Sequence, residues 1–312
     1  MNRTLATEFI LLGFSNNLRV NICLFLLFLV IYLVTVNGNV LIMSLILRTP
    51  SLHTPMYFFI CVLSFVDLCM STSVAPRLLA DLLSTHRLIS LGACVIQFYT
   101  IFLMSGTEFL LLALMAYDRY IAICRPLHYP VLMRWSMCYR LAALVWLMSF
   151  MVFVVPALLM KTDLCYPNHI NHFMCEVLAV IQLACDDIHL NEVVMLLTCF
   201  IAILLPFLSI IVSYACIIIS VLRINSTRRS KAFSTCTSHI TVVVLFYGPA
   251  MLMYFSPLAQ YSTNQGKYLA LFYYIICPSL NPIIYSLNNK DVKEVIQKMF
   301  HKCLTNVNSS AP

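Results

Sequence analysis

The chain has 312 residues, of which 62% are hydrophobic and only 10% are charged, and its formal net charge is +7. Soluble globular domains are about 45–50% apolar and about 25% charged, so this composition excludes a soluble domain and indicates an integral membrane protein. The basic excess is typical of lysines and arginines that flank membrane spans on their inner side, and it predicts no nucleic-acid partner.

Seven apolar runs are each long enough to cross a bilayer as a helix, which needs about 20 residues. Barrel strands need only about 9–11 residues and alternate in polarity, and these runs are longer. We therefore predict an all-α membrane protein with a single domain, residues 1–312, that forms a seven-transmembrane helix bundle. The predicted spans are 22–47, 56–80, 94–123, 141–160, 193–222, 232–257 and 268–288.

The placement of Lys and Arg predicts the orientation of the bundle. With the N-terminus outside, 13 of the 19 Lys and Arg residues fall on the inner side, as the positive-inside rule requires. The C-terminus is then cytoplasmic, and the sequon at Asn2 lies on the side where asparagines are glycosylated. Residues 1–20 are predicted to be a short, mostly polar outer tail that is too small to bind a ligand by itself.

Two carboxylates interrupt the second and third spans, Asp67 and Glu108. A charge in hydrocarbon is costly, so such residues are functional hypotheses by default. Two interpretations stay open here. The acids are either neutral and hydrogen-bonded, or they share a proton or bind a cation such as Na⁺.

The inner end of the third span, Met115–Cys124, carries the adjacent pair Asp118 and Arg119. An isolated pair of this kind is often an arginine that reaches the interface with its neighbour as counter-ion. The motifs that surround this pair favour a functional interpretation instead.

The second outer loop, Lys161–Glu192, is the longest connection and is predicted to be a fixed lid. Four of the 14 cysteines fall on the predicted outer side, where oxidising conditions favour disulfides. Two disulfides are predicted, and three pairings are open from the sequence alone. The four are Cys94, Cys165, Cys175 and Cys185.

The sixth span contains His239 in its inner half and Gly248-Pro249 near its middle. A Gly-Pro step predicts a kink. Two roles stay open for His239: a hydrogen-bonded residue between helices, or a switch residue.

After the seventh span, apolar residues recur at helical spacing, which predicts an amphipathic helix at about 290–301 on the inner membrane surface. Cys303 beyond it is either a palmitoylation candidate or a free thiol.

Five long strings, in this order, make the chain resemble the odorant (olfactory) receptors of the rhodopsin-like G-protein-coupled receptor superfamily. They are Leu52–Phe58 (LHTPMYF), Met115–Cys124 (MAYDRYIAIC), Lys231–His239 (KAFSTCTSH), Phe246–Gly248 (FYG) and Pro278–Ser286 (PSLNPIIYS). The resemblance covers the chain essentially from end to end.

The resemblance implies a receptor rather than an enzyme. It would bind a small-molecule odorant and activate a heterotrimeric stimulatory, olfactory-type G protein, which raises cyclic AMP. It would lie among the lipids of the plasma membrane, in the cilia of olfactory sensory neurons. The resemblance also implies disulfides between Cys94 and Cys175 and between Cys165 and Cys185, with Cys94–Cys185 as the alternative. No cofactor is expected beyond Na⁺ as an allosteric ion, held by Asp67, Glu108 and Asn281.

The ligand pocket implied by the resemblance lies in the outer half of the bundle, between the third, fifth and sixth helices. Its expected lining is apolar, with a few hydroxyls and no charge, and position 101, where receptors for amine transmitters carry an acid, is Ile. This favours small, mostly neutral, lipophilic volatile ligands. The expected lining residues are Phe98, Ile101, Phe102, Ser105, Gly106, Phe109, Thr198, Cys199, Ala202, Tyr247, Met251, Tyr254 and Tyr274.

Activation would be a population shift in which the inner half of the sixth helix swings outward about Gly248-Pro249. Na⁺ would be held in the inactive state and lost on activation. The residues expected to act in activation and G-protein coupling are Asp118, Arg119, Tyr120, Tyr214, His239, Asn281 and Tyr285.

Three rival classes make different predictions. A transporter would show internal repeats and interrupted helices, and the two halves of this sequence are not similar. An intramembrane enzyme would need a nucleophile-base or metal constellation, and His239 is the only histidine within a predicted span. A non-olfactory receptor of the same superfamily would retain G-protein coupling but lacks support from the olfactory strings.

Overall fold

A computed structural model describes residues 6–15, 17–159, 164–185, 189–222, 226–255, 264–288, 292–295 and 297. Within these residues seven helices are long and apolar enough to cross a membrane, which confirms the predicted seven-helix fold. They are α1 (Leu18–Arg48), α2 (Pro55–Leu83), α3 (Leu91–Cys124), α4 (Trp135–Leu159), α5 (His189–Leu222), α6 (Ser226–Phe255) and α7 (Gln265–Ser286). Shorter elements are a 3₁₀ turn at Pro50–Leu52 and helices at Tyr129–Leu132 and Val177–Ile181.

Each helix begins before the first residue of the corresponding predicted span, and for α1 and α3 a polar capping residue outside the apolar run sets the start. The Asn17 side chain accepts a hydrogen bond from the Arg19 N–H (3.0 Å), and the Ser90 hydroxyl accepts one from the Ala93 N–H (3.3 Å). Pro55 occupies the first turn of α2, where a missing N–H has no cost. Counting apolar residues alone omits these capping turns.

Helix α3 is the centre of the bundle and contacts α2, α4, α5 and α6. Of its apolar stretch 61% is buried inside the protein, against 17% for α1, whose apolar side chains therefore face lipid. Gly106 brings α3 close to α4, since a Cβ at this position would overlap the Phe153 ring and the Ser149 hydroxyl. Small residues allow such close approach between membrane helices.

Three spanning helices widen into a π turn: Phe150–Val154 in α4, Phe200–Leu204 in α5 and Phe272–Ile276 in α7. Such turns are rare and occur often at functional sites. All three contribute to the cavity described below.

A three-stranded sheet covers one end of the bundle. Strand β1 (Glu8–Leu11) pairs antiparallel with β2 (Leu88–Ser90) and parallel with β3 (His169–Ile170). We call this sheet and the apolar cluster beneath it the cap. The cluster consists of Ala6, Phe9, Leu11, Ile89, Cys94, Ile170, Cys175 and Ala179. The segment predicted as a polar tail is thus partly a strand with two fully buried side chains, Phe9 and Leu11.

Two disulfides hold the long loop between α4 and α5. Cys94 at the start of α3 is bonded to Cys175, and Cys165 is bonded to Cys185. These are the pairs that the resemblance implies. Asn2, Cys303 and most of the helix predicted at 290–301 lie outside the described residues, and residues 292–295 within that range are helical.

Candidate functional site

A small cavity of about 20 Å³ lies beneath the cap. This is room for about one water molecule, so its side chains must shift apart to admit a larger ligand. It is bounded by α3, α4, α5, α6, α7 and the long loop. Its lining consists of Phe98, Ile101, Phe102, Ser105, Phe109, Phe153, Met174, Cys175, Glu176, Val177, Cys199, Ile203, Tyr254, Tyr273 and Tyr274.

Eight of the expected ligand-binding residues line this cavity: Phe98, Ile101, Phe102, Ser105, Phe109, Cys199, Tyr254 and Tyr274. The other five lie outside its lining. Gly106 faces α4, and the Tyr247 hydroxyl is used in a hydrogen bond to the Phe109 carbonyl (2.9 Å). Thr198 and Met251 are half-buried, and Ala202 is buried in α5.

The lining residues that the sequence did not reveal come from two sources. Phe153, Ile203 and Tyr273 belong to the three π turns, which no periodicity in the sequence signals. The segment Met174–Val177 comes from the long loop. The second source had a signal, because a disulfide from Cys175 to the start of α3 holds this segment above the bundle.

The lining includes one carboxylate, Glu176, which differs from the expected uncharged pocket. Its side chain is buried, and its Oε2 accepts a hydrogen bond from the Ala179 N–H (3.1 Å). The preceding residue is held firmly, since the Cys175 N–H donates to the Gln97 Oε1 (2.9 Å) and Gln97 in turn donates to the Ser73 carbonyl (2.9 Å). The acid is therefore fixed in the roof of the cavity.

Aromatic stacking closes the roof. Phe173 stacks on Phe14 from the N-terminal segment (5.0 Å between centroids) and on the buried ring of His172 (4.5 Å). The Lys267 ammonium donates to the Gly13 carbonyl (3.0 Å). Burial, and secondarily the charge of Lys267, lower the pKa of His172 from 6.5 to about 3.

We expect acidification to destabilise the folded protein through His172. Because the pKa is lowered on folding, the stabilisation is complete above pH 6.5 and is lost as the pH falls from 6.5 towards 3. At pH 5 the loss is about 2 kcal/mol. Thermal denaturation in detergent at pH 7 and pH 5 measures it, and His172→Gln should reduce the difference between the two melting temperatures. An equal difference in both proteins would contradict the assignment.

A buried polar network joins α1, α2, α3 and α7. The Asn281 amide donates to both Asp67 carboxylate oxygens (3.1 and 3.0 Å). The Asn39 amide donates to the Pro278 carbonyl (3.1 Å) and so ties α1 to α7. Glu108 is 1% exposed, and its Oε2 has no hydrogen-bond partner within the described residues.

The chemistry of this network fits a hard cation. Within this network, three buried oxygens have no hydrogen-bond partner in the described part of the chain: Glu108 Oε2, Asn39 Oδ1 and Asn281 Oδ1. The Asp67 carboxylate lies in the same network. Carboxylate and amide oxygens are the ligand types that hard cations take.

At the opposite end of α3 from the cap, Asp118 and Arg119 form an ion pair. The guanidinium donates to the Asp118 Oδ2 from Nη2 (2.7 Å) and Nε (3.2 Å), and the Tyr129 hydroxyl donates to Oδ1 (2.9 Å). Asp118 is fully buried, whereas Arg119 retains 13% side-chain exposure. Burial, and then the adjacent Asp118 carboxylate, raise the pKa of Tyr129. The carboxylate is thus neutralised within this end of the bundle.

His239 links α6 to α5 and α3. Its Nε2 lies 3.1 Å from the Leu112 carbonyl oxygen and its Nδ1 lies 2.7 Å from the Tyr214 hydroxyl. A carbonyl only accepts, so Nε2 carries the proton and the Tyr214 hydroxyl donates to Nδ1. The interpretation as a residue bonded between helices is therefore what the geometry supports. Tyr285 is buried nearby in α7, and Tyr120 is half-buried on α3.

Comparison with known proteins gives a consistent result. A family model described as olfactory receptor matches residues 28–303. The chain is 44% identical over 300 residues to olfactory receptor 2G3 of Homo sapiens, a match that covers 96% of this chain and 97% of that protein. It is 44% identical to olfactory receptor 5AR1 of Mus musculus, covering 96% and 98%. The fold is similar to squid rhodopsin, with a TM-score of 0.71 at 20% identity over 94% of this chain and 88% of that one.

Proposed function

Because the chain belongs to the olfactory receptor family of seven-span membrane receptors, we propose that it binds small, mostly neutral, lipophilic volatile molecules and couples their binding to a stimulatory, olfactory-type G protein. Activation would raise cyclic AMP. The cap end of the bundle would face the outside and the Arg119 end the cytoplasm, in the plasma membrane of olfactory sensory neuron cilia.

The observation that carries the proposal is the cavity beneath the cap. It is lined by seven aromatic rings and several aliphatic side chains, which favour ligands held by dispersion and shape. Ser105, Tyr254 and Tyr274 supply hydroxyls for one or two directional hydrogen bonds. Affinity should be modest, because the binding free energy of a small ligand is limited to about 1.5 kcal/mol per non-hydrogen atom and an odorant has few atoms.

The proposed activation is a shift between two arrangements of α6. A ligand that contacts Tyr254 would draw the cap half of α6 inward, and the helix would pivot at Gly248-Pro249. The other half would move away from α3 and break the bonds of His239. Arg119 would then leave Asp118 and, with Tyr214 and Tyr285, line the opening that admits the G protein.

Asp67, Glu108 and Asn281 would hold Na⁺, which would supply a positive charge between two buried carboxylates. The described contact between Asn281 and Asp67 supports this assignment. Residues around such an ion would stabilise the bundle by joining α2, α3 and α7.

Replacing His239 with Leu should raise basal cyclic AMP. The substitution removes both hydrogen bonds that tie α6 to α5 and α3. Each bond contributes about 1 kcal/mol, which corresponds to about a fivefold change in the ratio of active to inactive receptor. Tyr214→Phe is the matched control, because it removes only one bond and should give a smaller rise. Lower or unchanged basal signalling at equal surface level would contradict this role.

The proposed function is tested by measuring cyclic AMP in cells that express the chain with an olfactory-type G protein. The panel consists of volatile aliphatic and aromatic odorants, and an N-terminal tag on intact cells reports both surface level and orientation. Ser105 and Phe102 both line the cavity. Ser105→Val and Phe102→Ala should therefore change the odorant concentration that gives a half-maximal cyclic AMP response. A receptor that reaches the surface and responds to none of a broad panel would overturn the proposal.

A further inference from the structure

The roof of the cavity places a carboxylate among aromatic rings. Glu176 is 6% exposed and lies in the same lining as Tyr254 of α6 and Tyr274 of α7. The acid thus faces the ligand space rather than the solvent above the cap.

The lining contains no lysine, arginine or histidine among the residues that the structure describes. Glu176 is therefore the only group in the described lining that can carry a formal charge. A nearby cation favours its ionised form, in an environment where burial weakens the screening of charges by water. An anionic ligand would be repelled from this cavity. A cationic ligand would meet a counter-charge and also the faces of aromatic rings, which attract ammonium groups within about 6 Å of their centroids.

From this arrangement we propose that the receptor selects lipophilic amines, with the ammonium group at Glu176 and the hydrocarbon chain among Phe98, Phe102 and Phe109. This rests on the proposed function and departs from its mostly neutral ligands in one respect: the head group of the preferred ligand carries a positive charge. The acid comes from the roof. The α3 position at which receptors for amine transmitters carry an acid is Ile101 here, and it lines the same cavity. Alcohols, which donate a hydrogen bond without charge, bind more weakly, and carboxylic acids of the same length are excluded.

Glu176 also has a structural contact, because its Oε2 accepts the Ala179 N–H at the start of the short helix Val177–Ile181. A helix cap and a ligand site make different predictions. Glu176→Gln keeps a side-chain oxygen for the cap and removes the charge, and Glu176→Asp keeps the charge on a shorter side chain. Glu176→Ala removes both.

The test compares straight-chain amines, alcohols and carboxylic acids of equal length in the cyclic AMP assay, with surface level measured for each variant. In the wild type we expect the amine to be the most potent and the acid to be inactive. Glu176→Gln should raise the effective concentration of the amine about tenfold or more, as expected for loss of a charge-assisted hydrogen bond. The alcohol should change by less than about threefold, and Glu176→Asp should retain part of the amine preference.

Three outcomes would overturn the inference alone while the receptor still responds to odorants. One is an amine response that does not change in Glu176→Gln. Another is an equal loss for amine and alcohol in Glu176→Gln, which indicates the cap role. The third is a wild type that responds to alcohols but to no amine. A wild type at the surface that responds to no odorant class would instead overturn the proposed function, and the inference with it.

Discussion

Arg119→Ala is expected to abolish the cyclic AMP response to odorants without removing the receptor from the cell surface. The guanidinium is held by Asp118 and lies at the end of the bundle opposite the cap, where it keeps 13% exposure. In the proposed active arrangement it leaves Asp118 and contacts the G protein, and alanine offers no such group. We expect the maximal response to fall at least about tenfold, which corresponds to about 1.4 kcal/mol of coupling. Odorant binding should persist, because the ligand cavity lies at the other end.

The controls separate coupling from stability. Arg119→Ala leaves the Asp118 carboxylate fully buried with only the Tyr129 hydroxyl from the contacts described, and an unpaired buried charge is destabilising. The double variant Asp118→Asn/Arg119→Ala removes that charge and should reach the surface at least as well as Arg119→Ala, still without signalling. Asp118→Asn alone should raise basal cyclic AMP, because it releases Arg119. Full signalling by Arg119→Ala at wild-type surface level would contradict the assignment.

Cys94→Ser is expected to prevent most of the chain from reaching the surface. Its disulfide to Cys175 spans 81 residues, against 20 for the bond between Cys165 and Cys185. Loop-closure entropy alone gives about 4 kcal/mol for the longer loop and about 3 kcal/mol for the shorter. Cys94 and Cys175 are also both buried in the cap, whereas Cys165 and Cys185 are half-buried. Cys165→Ser should therefore cost less surface expression.

Flow cytometry on intact cells measures this difference, and total expression is measured in permeabilised cells. The double variant Cys94→Ser/Cys175→Ser should resemble either single variant, because each already removes the whole bond. Surface levels for Cys94→Ser above those for Cys165→Ser would contradict the ranking. An additive loss in the double variant would show that the two cysteines act separately.

The seven helices could be predicted because hydrocarbon imposes a minimum length of apolar chain, and each run in this sequence exceeds it. The cap could not be predicted in the same way. Its strands are two to four residues long, and β1 pairs with residues about 80 and about 160 positions away. A strand of four residues contains only two periods of alternation, which is too few to distinguish it from an irregular tail.

The regular α-helical spacing of α3 brings Phe98, Ile101, Phe102, Ser105 and Phe109 to one side, and all five line the cavity. On α5 the prediction included Thr198 and Ala202, but Ile203 lines the cavity instead. The π turn Phe200–Leu204 explains this difference, since each turn there holds more residues and rotates the positions that follow. Glu176 was missed for another reason: the disulfide at Cys175 places the loop over the bundle, but it does not show which side chain of the loop faces the cavity.

The cap also sets an order for the synthesis of the chain. Strand β1 is made first, but its parallel partner begins at His169, opposite Ile10. At about 5–20 residues per second, the intervening chain takes roughly 10–30 s to appear. During that time the only strand available to β1 is β2, which appears about halfway through the interval, and Phe9 and Leu11, which are fully buried in the finished protein, lack the β3 side of the sheet. The cap is therefore completed late, by a non-local pairing of β1 with β3. A nascent chain that pauses before residue 170 leaves one edge of the apolar strand β1 unpaired.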